Sequence, residues 1–343
     1  MTGQGIGAWG AAETRFFYEL TPDRILDAVE AAGLRPTGRC YALNSMENRV
    51  YDVEIEIDGA ARTPSDRFRV IKFYRPGRWT NDQILAEHEF LEELDEHELP
   101  VVPPITMEVG STLAAIEDTG LRYAIWPRIG GRIADELDDE KLRRLGRLMA
   151  RVHNIGEVGV AEERIRLDVD SYGRDNLAYL LDHDVLPADV RDAYRSLAEQ
   201  LCDTVEPWFE GVACQRIHGD CHIGNVLWRD DDPYLVDFDD MVRGPCVQDL
   251  WLIVPGRDTV AVRDRETFLE AYEELRTFDR STLRLVEPLR ALRYIHFTAW
   301  IARRQDDPAF QRVFSDFGSE RYWFEQISGL REQIGLIQDS AWR

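Results

Sequence analysis

The spacing of apolar positions divides the chain into an alternating first part and a helical second part. Residues 1–10 are polar and glycine-rich and are expected to be poorly held. Thr21-Pro22-Asp23 then caps a helix whose apolar stripe is Ile25, Leu26 and Val29 and which Gly33 ends. Period-two patterning follows in Arg39 to Leu43, in Val53, Ile55 and Ile57 alternating with Glu54 and Glu56 before Asp58-Gly59, and in Arg67 to Tyr74. A helix over Asn81 to His97 carries Ile84, Leu91 and Leu94 on one stripe. Two more strands, Thr112 to Glu117 and Leu121 to Trp126, complete a small, mostly antiparallel sheet. Pro127-Arg128-Ile129-Gly130-Gly131 breaks the pattern and marks a boundary between residues 1–127 and 128–343. Beyond it the period lengthens. Helices are expected over Lys141 to His153, from Leu186-Pro187 to about Trp208, over Glu287 to Arg304 and over Glu320 to Ile337, with Trp300, Tyr322 and Trp323 as core or cleft aromatics. One hairpin interrupts them, formed by Val226-Leu227-Trp228, an acidic turn from Arg229 to Pro233, and Tyr234 to Phe238. The fold class is α+β in two lobes, one built on the small antiparallel sheet and a larger, mainly helical one.

Polar residues that violate this pattern carry the chemistry. Lys72 shares a strand face with Phe68, Val70 and Tyr74, where an unpaired ammonium is costly. Glu87 falls on the same helical stripe as Ile84 and Leu91, so it is expected to face inward and meet that lysine. A strand Lys held by a helix Glu aims the ammonium at ATP phosphates in protein kinases. Next to the hairpin stands His218-Gly219-Asp220-Cys221-His222-Ile223-Gly224-Asn225, and the second strand closes on Asp237-Phe238-Asp239. These runs sit where protein kinases place H-R-D-x-x-x-x-N and D-F-G. Phosphoryl transfer needs an oriented hydroxyl and neutralised phosphates more than covalent work, and Mg²⁺ prefers a few hard oxygen ligands. Asp220 is therefore the candidate base, and Asn225 and Asp237 are the candidate Mg²⁺ ligands. Leu43 to Tyr51 lies where a Gly-rich loop would lie but has no G-x-G-x-x-G. Its Ser45 hydroxyl and neighbouring N–H groups can contact phosphate, and an ordinary polar hairpin fits equally. Asp249, in Gln248-Asp249-Leu250-Trp251, is suited either to hydrogen-bond the backbone of the Asp220 loop or to place charge at a helix start.

Charge and cysteine usage narrow the partners. At 343 residues the chain is long enough for two lobes with a sizeable core, and its net charge of -23 argues against general affinity for nucleic acid or anionic membrane. No apolar run approaches the roughly 18 residues of a membrane span, and the first residues lack an apolar signal core, so a cytoplasmic protein is expected. Five cysteines without C-x-x-C indicate neither a disulfide framework nor zinc, and Cys221 and His222 are expected to pack rather than to bind metal.

The sequence resembles the bacterial stress response kinase A family, within the aminoglycoside and choline phosphotransferase superfamily with the protein-kinase-like fold. The resemblance runs nearly end to end. It is carried by Leu43 to Tyr51, by Lys72-Phe73-Tyr74-Arg75-Pro76-Gly77-Arg78-Trp79-Thr80, by His218 to Asn225, and by Gly244-Pro245-Cys246-Val247-Gln248-Asp249-Leu250-Trp251. It implies ATP-dependent phosphorylation of protein Ser/Thr hydroxyls with a role in stress survival, a proton acceptor at Asp220, Mg²⁺ ligands at Asn225 and Asp237, and an ATP contact at Ser45. Lys72 and Glu87 complete the expected nucleotide site, and a monomer whose acceptors include the chain itself is expected. The match departs most at the N-terminus and around Glu157 to Arg166. Nothing in these residues separates a protein hydroxyl from one on a sugar, choline or an antibiotic, and a small-molecule kinase is the alternative. A catalytically silent nucleotide-binding regulator is a third reading, opposed by the full set of catalytic residues.

Overall fold

The computed structural model describes residue 17 and residues 20–340; the glycine-rich positions 1–10 lie outside the described residues. Thr21 accepts from Arg24 N at 3.4 Å and starts helix α1 (Pro22–Ala31), which Gly33 ends at φ 88°. Strands β1 (Pro36–Ala42), β2 (Arg49–Ile55) and β3 (Phe68–Phe73) follow, then helix α2 (Asn81–Glu96), then β4 (Ala114–Ala115) and β5 (Arg122–Pro127). The five strands form one antiparallel sheet in the order β1-β2-β3-β5-β4.

Alternation gives this sheet two different faces. Ile71, Phe73, Val53, Ile55 and Ile125 pack with Ile25 and Val29 of α1, while Val70 and Lys72 turn to the opposite face and line a cavity. Helix α2 enters through a capping box between Thr80 and Gln83 and buries Ile84, Glu87, Leu91 and Leu94, the stripe expected from the sequence. The strand expected over Thr112 to Glu117 shrinks to two residues. Ser111 turns the chain by accepting from Leu113 N, and only Ala114 and Ala115 pair, as an edge, with β5.

The remainder is mostly helical. After β6 (Arg132–Ile133) come α3 (Asp139–Val158), α4 (Asp175–Asp182), α5 (Ala188–Val205), β7 (Gln215–Ile217), β8 (Val226–Arg229), β9 (Asp232–Leu235) and β10 (Val242–Gly244). Helices α6 (Val247–Ile253), α7 (Thr259–Glu273), α8 (Val286–Ala302), α9 (Pro308–Val313) and α10 (Glu320–Ser340) complete the chain. Asp138 caps α3, which lies against α7 so closely that a Cβ on Gly146 would meet the Phe268 carbonyl at 2.3 Å. The hairpin β8–β9 forms as expected, but β9 stops at Leu235, and Phe238 begins a short helical turn instead of ending the strand. The reason is backbone conformation: Asp237 sits at φ 62°, ψ 64°, which cannot continue a pleat. Among the described residues no helix is long and apolar enough to cross a membrane.

Candidate active site

Lys72 sits mid-strand, opposite Val50 on one side and Ala124 on the other, and is 8% exposed. Its Nζ lies 3.3 Å from Glu87 Oε1, 3.5 Å from Asp239 Oδ1 and 3.9 Å from Asp237 Oδ1, with the rings of Tyr74 and Trp126 at 5.0 and 4.9 Å. Burial alone would lower the ammonium pKa; the three carboxylates reverse this and raise it, so Lys72 stays charged. Burial pushes Glu87 up and Lys72 pulls it back, leaving it above the usual carboxylate range. One Glu87 oxygen, Oε2, is buried without a hydrogen-bond partner, which makes the pair dependent on its cation.

The loop after β7 is held from beneath. Asp249 has no exposed surface; its Oδ2 accepts from His218 N at 3.0 Å and its Oδ1 from Gly219 N at 2.8 Å, while His153 Nε2 lies 3.1 Å from Oδ2. This settles the two readings of Asp249 in favour of the loop backbone. Gln248 Nε2 donates to Gly219 O at 2.9 Å, and His218 Nε2 lies 3.0 Å from Val236 O. Gly219 is at φ 85°, and a Cβ there would collide with the Asp240 carbonyl, so this position needs glycine. The loop thereby presents Asp220, whose Oδ1 accepts from Arg293 Nη2 at 2.8 Å and whose Oδ2 is 3.5 Å from His222 Nε2. Burial would raise the Asp220 carboxyl; Arg293, His222 and His218 bring it below its ordinary value.

The β8–β9 hairpin brings Asn225 and Asp237 to one end. Val236 N donates to Asn225 O at 3.0 Å, and Asn225 Nδ2 donates to Asp220 O at 2.9 Å. The amide nitrogen being committed, Oδ1 is what Asn225 can offer a cation. Asp237 leaves its carboxylate 59% exposed toward the cavity. One amide oxygen and one carboxylate, with remaining positions free for water or phosphate, match the donor set Mg²⁺ uses. Among the described residues no three His, Cys, Asp or Glu side chains cluster to hold a metal, so a metal here would rest on these two oxygens and its other ligands.

Several charged residues at the site were assigned no role from the sequence, although some lie inside the runs singled out there. Asp239, at the D-F-G glycine position, is 3% exposed, and its Oδ2 is 2.5 Å from Arg78 Nη1. Arg164 Nη2 donates to its carbonyl at 2.5 Å. Arg78 also pairs with Asp240. Burial together with Asp220, Asp239 and Asp237 outweighs Arg78 and lifts the Asp240 carboxyl to about 6. Ser45 lines the cavity as expected of a phosphate-contacting loop, but the residue that fixes this loop is Glu47. Its carboxylate accepts from Arg304 Nε at 2.7 Å, Arg304 Nη2 at 2.9 Å and Trp300 Nε1 at 2.7 Å, while Arg75 Nε donates to the Glu47 carbonyl at 2.9 Å and lies 3.0 Å from Oε1. Burial would raise Glu47, but Arg304, Arg78 and Arg75 pull it down to about 2. Neither Arg293 nor Arg304 stands in a run that a single sequence marks as special; only the return of α8 to the cleft reveals them.

Several of these groups line one cavity of about 720 Å³, while Asn225 and Arg293 stand behind its lining. Val50, Val70, Leu91, Trp126, Leu227 and Leu235 give it apolar walls, and Ser45, Lys72, Glu87, Asp220 and Asp237 supply its polar groups.

A small antiparallel sheet facing a helical body across such a cleft defines a kinase-like phosphotransferase. Residues 43–286 match the model of the phosphotransferase enzyme family, and the chain belongs to that family. Stress response kinase A of Escherichia coli K12 is 38% identical over 325 residues, which cover 94% of this chain and 95% of that protein. Serine/threonine protein kinase RdoA of Salmonella typhimurium is 37% identical over 325 residues, with the same coverage. A solved structure of amicoumacin kinase with AMP-PNP and Ca²⁺ superposes with TM-score 0.68 at 17% identity, covering 89% of this chain and 94% of that one. A microcompartment-associated aminopropanol kinase gives TM-score 0.65 at 18% identity, covering 92% and 96%. At those identities the structural likeness is one of fold. The relatives and the family together make the chain a kinase related to those of the stress response.

Proposed function

We propose that the protein is an ATP- and Mg²⁺-dependent kinase that transfers the γ-phosphoryl group to serine or threonine hydroxyls of proteins in a bacterial stress response. One observation carries the nucleotide half of this reading. Lys72 Nζ, on β3, lies 3.3 Å from Glu87 of α2 and 3.9 Å from Asp237 after the hairpin, so a single cation faces the group that orients it and the proposed metal carboxylate. In this reading residues 1–127 hold ATP, with Ser45 and Lys72 on the phosphates, and residues 128–343 bring the acceptor. Mg²⁺, held by Asn225 and Asp237, would supply charge neutralisation on the phosphates. Asp220 orients the acceptor hydroxyl, takes its proton as the oxygen–phosphorus bond forms, and ADP leaves with the electrons of the broken bond. The protein acceptor is supported by the relative known as serine/threonine protein kinase RdoA, which is alike over 94% of the chain.

Transfer of label from γ-labelled ATP with Mg²⁺, offered both a basic protein mixture and a panel of small hydroxyl compounds, tests the acceptor. Label on protein Ser/Thr supports the proposal. Label confined to a small compound replaces it with a small-molecule kinase using the same site.

Two variants test the nucleotide side. Lys72→Ala is expected to lower kcat/KM by about 10²-fold, the usual effect of removing one preorganised donor of charge stabilisation; unchanged kinetics would dissociate Lys72 from the phosphates. Asp237→Ala is expected to weaken MgATP at least about tenfold, since even residues behind a metal ligand have effects of that size. The same variant should bind ATP normally in excess EDTA, and equal weakening with and without metal would show a packing defect instead.

A further inference from the structure

Helix α8 carries Arg293, Phe297, Trp300 and Arg304 at spacings of four, three and four; the last lies just beyond its end, and together they form a single stripe. The upper and lower ends of that stripe grip different parts of the cleft. Arg293 Nη2 donates to Asp220 Oδ1 at 2.8 Å, whereas Trp300 Nε1 and Arg304 hold Glu47 of the Leu43–Tyr51 loop at 2.7–2.9 Å. Between them in sequence, Phe297 stacks on Trp300, with ring centroids 5.4 Å apart and planes at 15°. On the opposite side of α8, Leu292, Ile295 and Ala299 are fully buried and pack into the core, where the helix meets α4, α5, α6 and α10. The stripe therefore projects from an immobile base.

We propose that α8 sets the distance between the phosphate-facing loop and the base, and that Arg293 is the positioning residue through which it holds the Asp220 carboxylate. The inference rests on the reading of Asp220 as the proton acceptor. Asp220 keeps 21% of its side chain exposed, enough to swing if unrestrained. Arg293 holds Oδ1 by a hydrogen bond, His222 stands 3.5 Å from Oδ2, and the remaining lone pairs are left to an incoming hydroxyl. A guanidinium beside a base also weakens it as a proton acceptor. In a loose phosphoryl-transfer transition state orientation counts for more than base strength, so the balance favours holding the carboxylate still.

The test compares Arg293→Gln and Arg293→Lys with wild type and Asp220→Asn in Mg²⁺-dependent transfer from γ-labelled ATP, measuring kcat and KM for ATP separately. Arg293→Gln is expected to lower kcat by about 30-fold or more while KM for ATP stays within about twofold, because the defect lies in positioning. Arg293→Lys, which keeps a charge able to reach the carboxylate, is expected to recover to within about fivefold of wild type. The proposal is overturned if Arg293→Gln keeps kcat within about threefold, if KM for ATP rises in step with the loss, or if the lysine variant is no better than the glutamine one. Retained activity in Asp220→Asn would instead sink the reading of the base, an outcome the Arg293 variants cannot mimic.

Discussion

Asp220→Asn is expected to lower phosphoryl transfer by about 10²–10⁴-fold while MgATP affinity stays within about threefold of wild type, the loss of a general base without loss of a metal or phosphate ligand. The geometry separates the two effects. Asn225 contacts Asp220 through the backbone carbonyl, at 2.9 Å, so the amide that shapes the metal end of the hairpin survives the substitution. Arg293 and His222 still find an oxygen or can shed a weak contact, and Asn at this position has nearly the volume of Asp. Transfer and nucleotide binding measured on the same preparation check the expectation. Loss of MgATP binding in parallel with activity would mean that Asp220 belongs to the metal site, and full activity would mean that the acceptor's proton goes elsewhere.

Asp249→Ala is expected to cost about 3–5 kcal/mol of stability, because it strips a wholly buried carboxylate from its partners. Two loop N–H groups, those of His218 and Gly219, would lose their acceptor in a site with no water access, each at about 1–3 kcal/mol. His153 would lose its carboxylate as well; burial lowers that imidazole, and Cys246, Tyr272 and Asp249 together raise it well above its ordinary value. Denaturant unfolding followed by tryptophan fluorescence reads the difference. Activity should fall further than stability accounts for, since the same contacts aim Asp220, and a variant as stable as wild type would show that the loop holds its shape without this acceptor.

Lys72 and Glu87 were legible as a pair because each is a polar residue where the local pattern calls for an apolar one, and Asn225 and Asp237 because their spacing matches known motifs and a hairpin brings them to one end. The sheet, α2, α3 and the hairpin were legible because alternation and helical stripes are local properties. Thr112 to Glu117 misled because its residues favour strands while its neighbours supply only a short edge partner. Glu47, Arg78, Asp239, Arg293 and Arg304 were illegible as a set. Each is an ordinary charged residue by local criteria, and their meaning comes from contacts such as Glu47–Arg304 across 257 positions, which no window of sequence contains.

The Leu43–Tyr51 loop contains no glycine, and its Glu47 is anchored on three sides by Arg75, Trp300 and Arg304. Asn48 adds an acceptor for Arg75 N at 3.0 Å, and Arg49 reaches Asp307 at 3.0 Å. Fixing a residue's backbone removes about 1–2 kcal/mol of conformational entropy at room temperature. A glycine-rich loop bears that cost each time it closes over a ligand. Here the buried ion pairs absorb it once, when the chain folds, so any ligand entering the cavity beside this loop meets a backbone whose disorder is already removed.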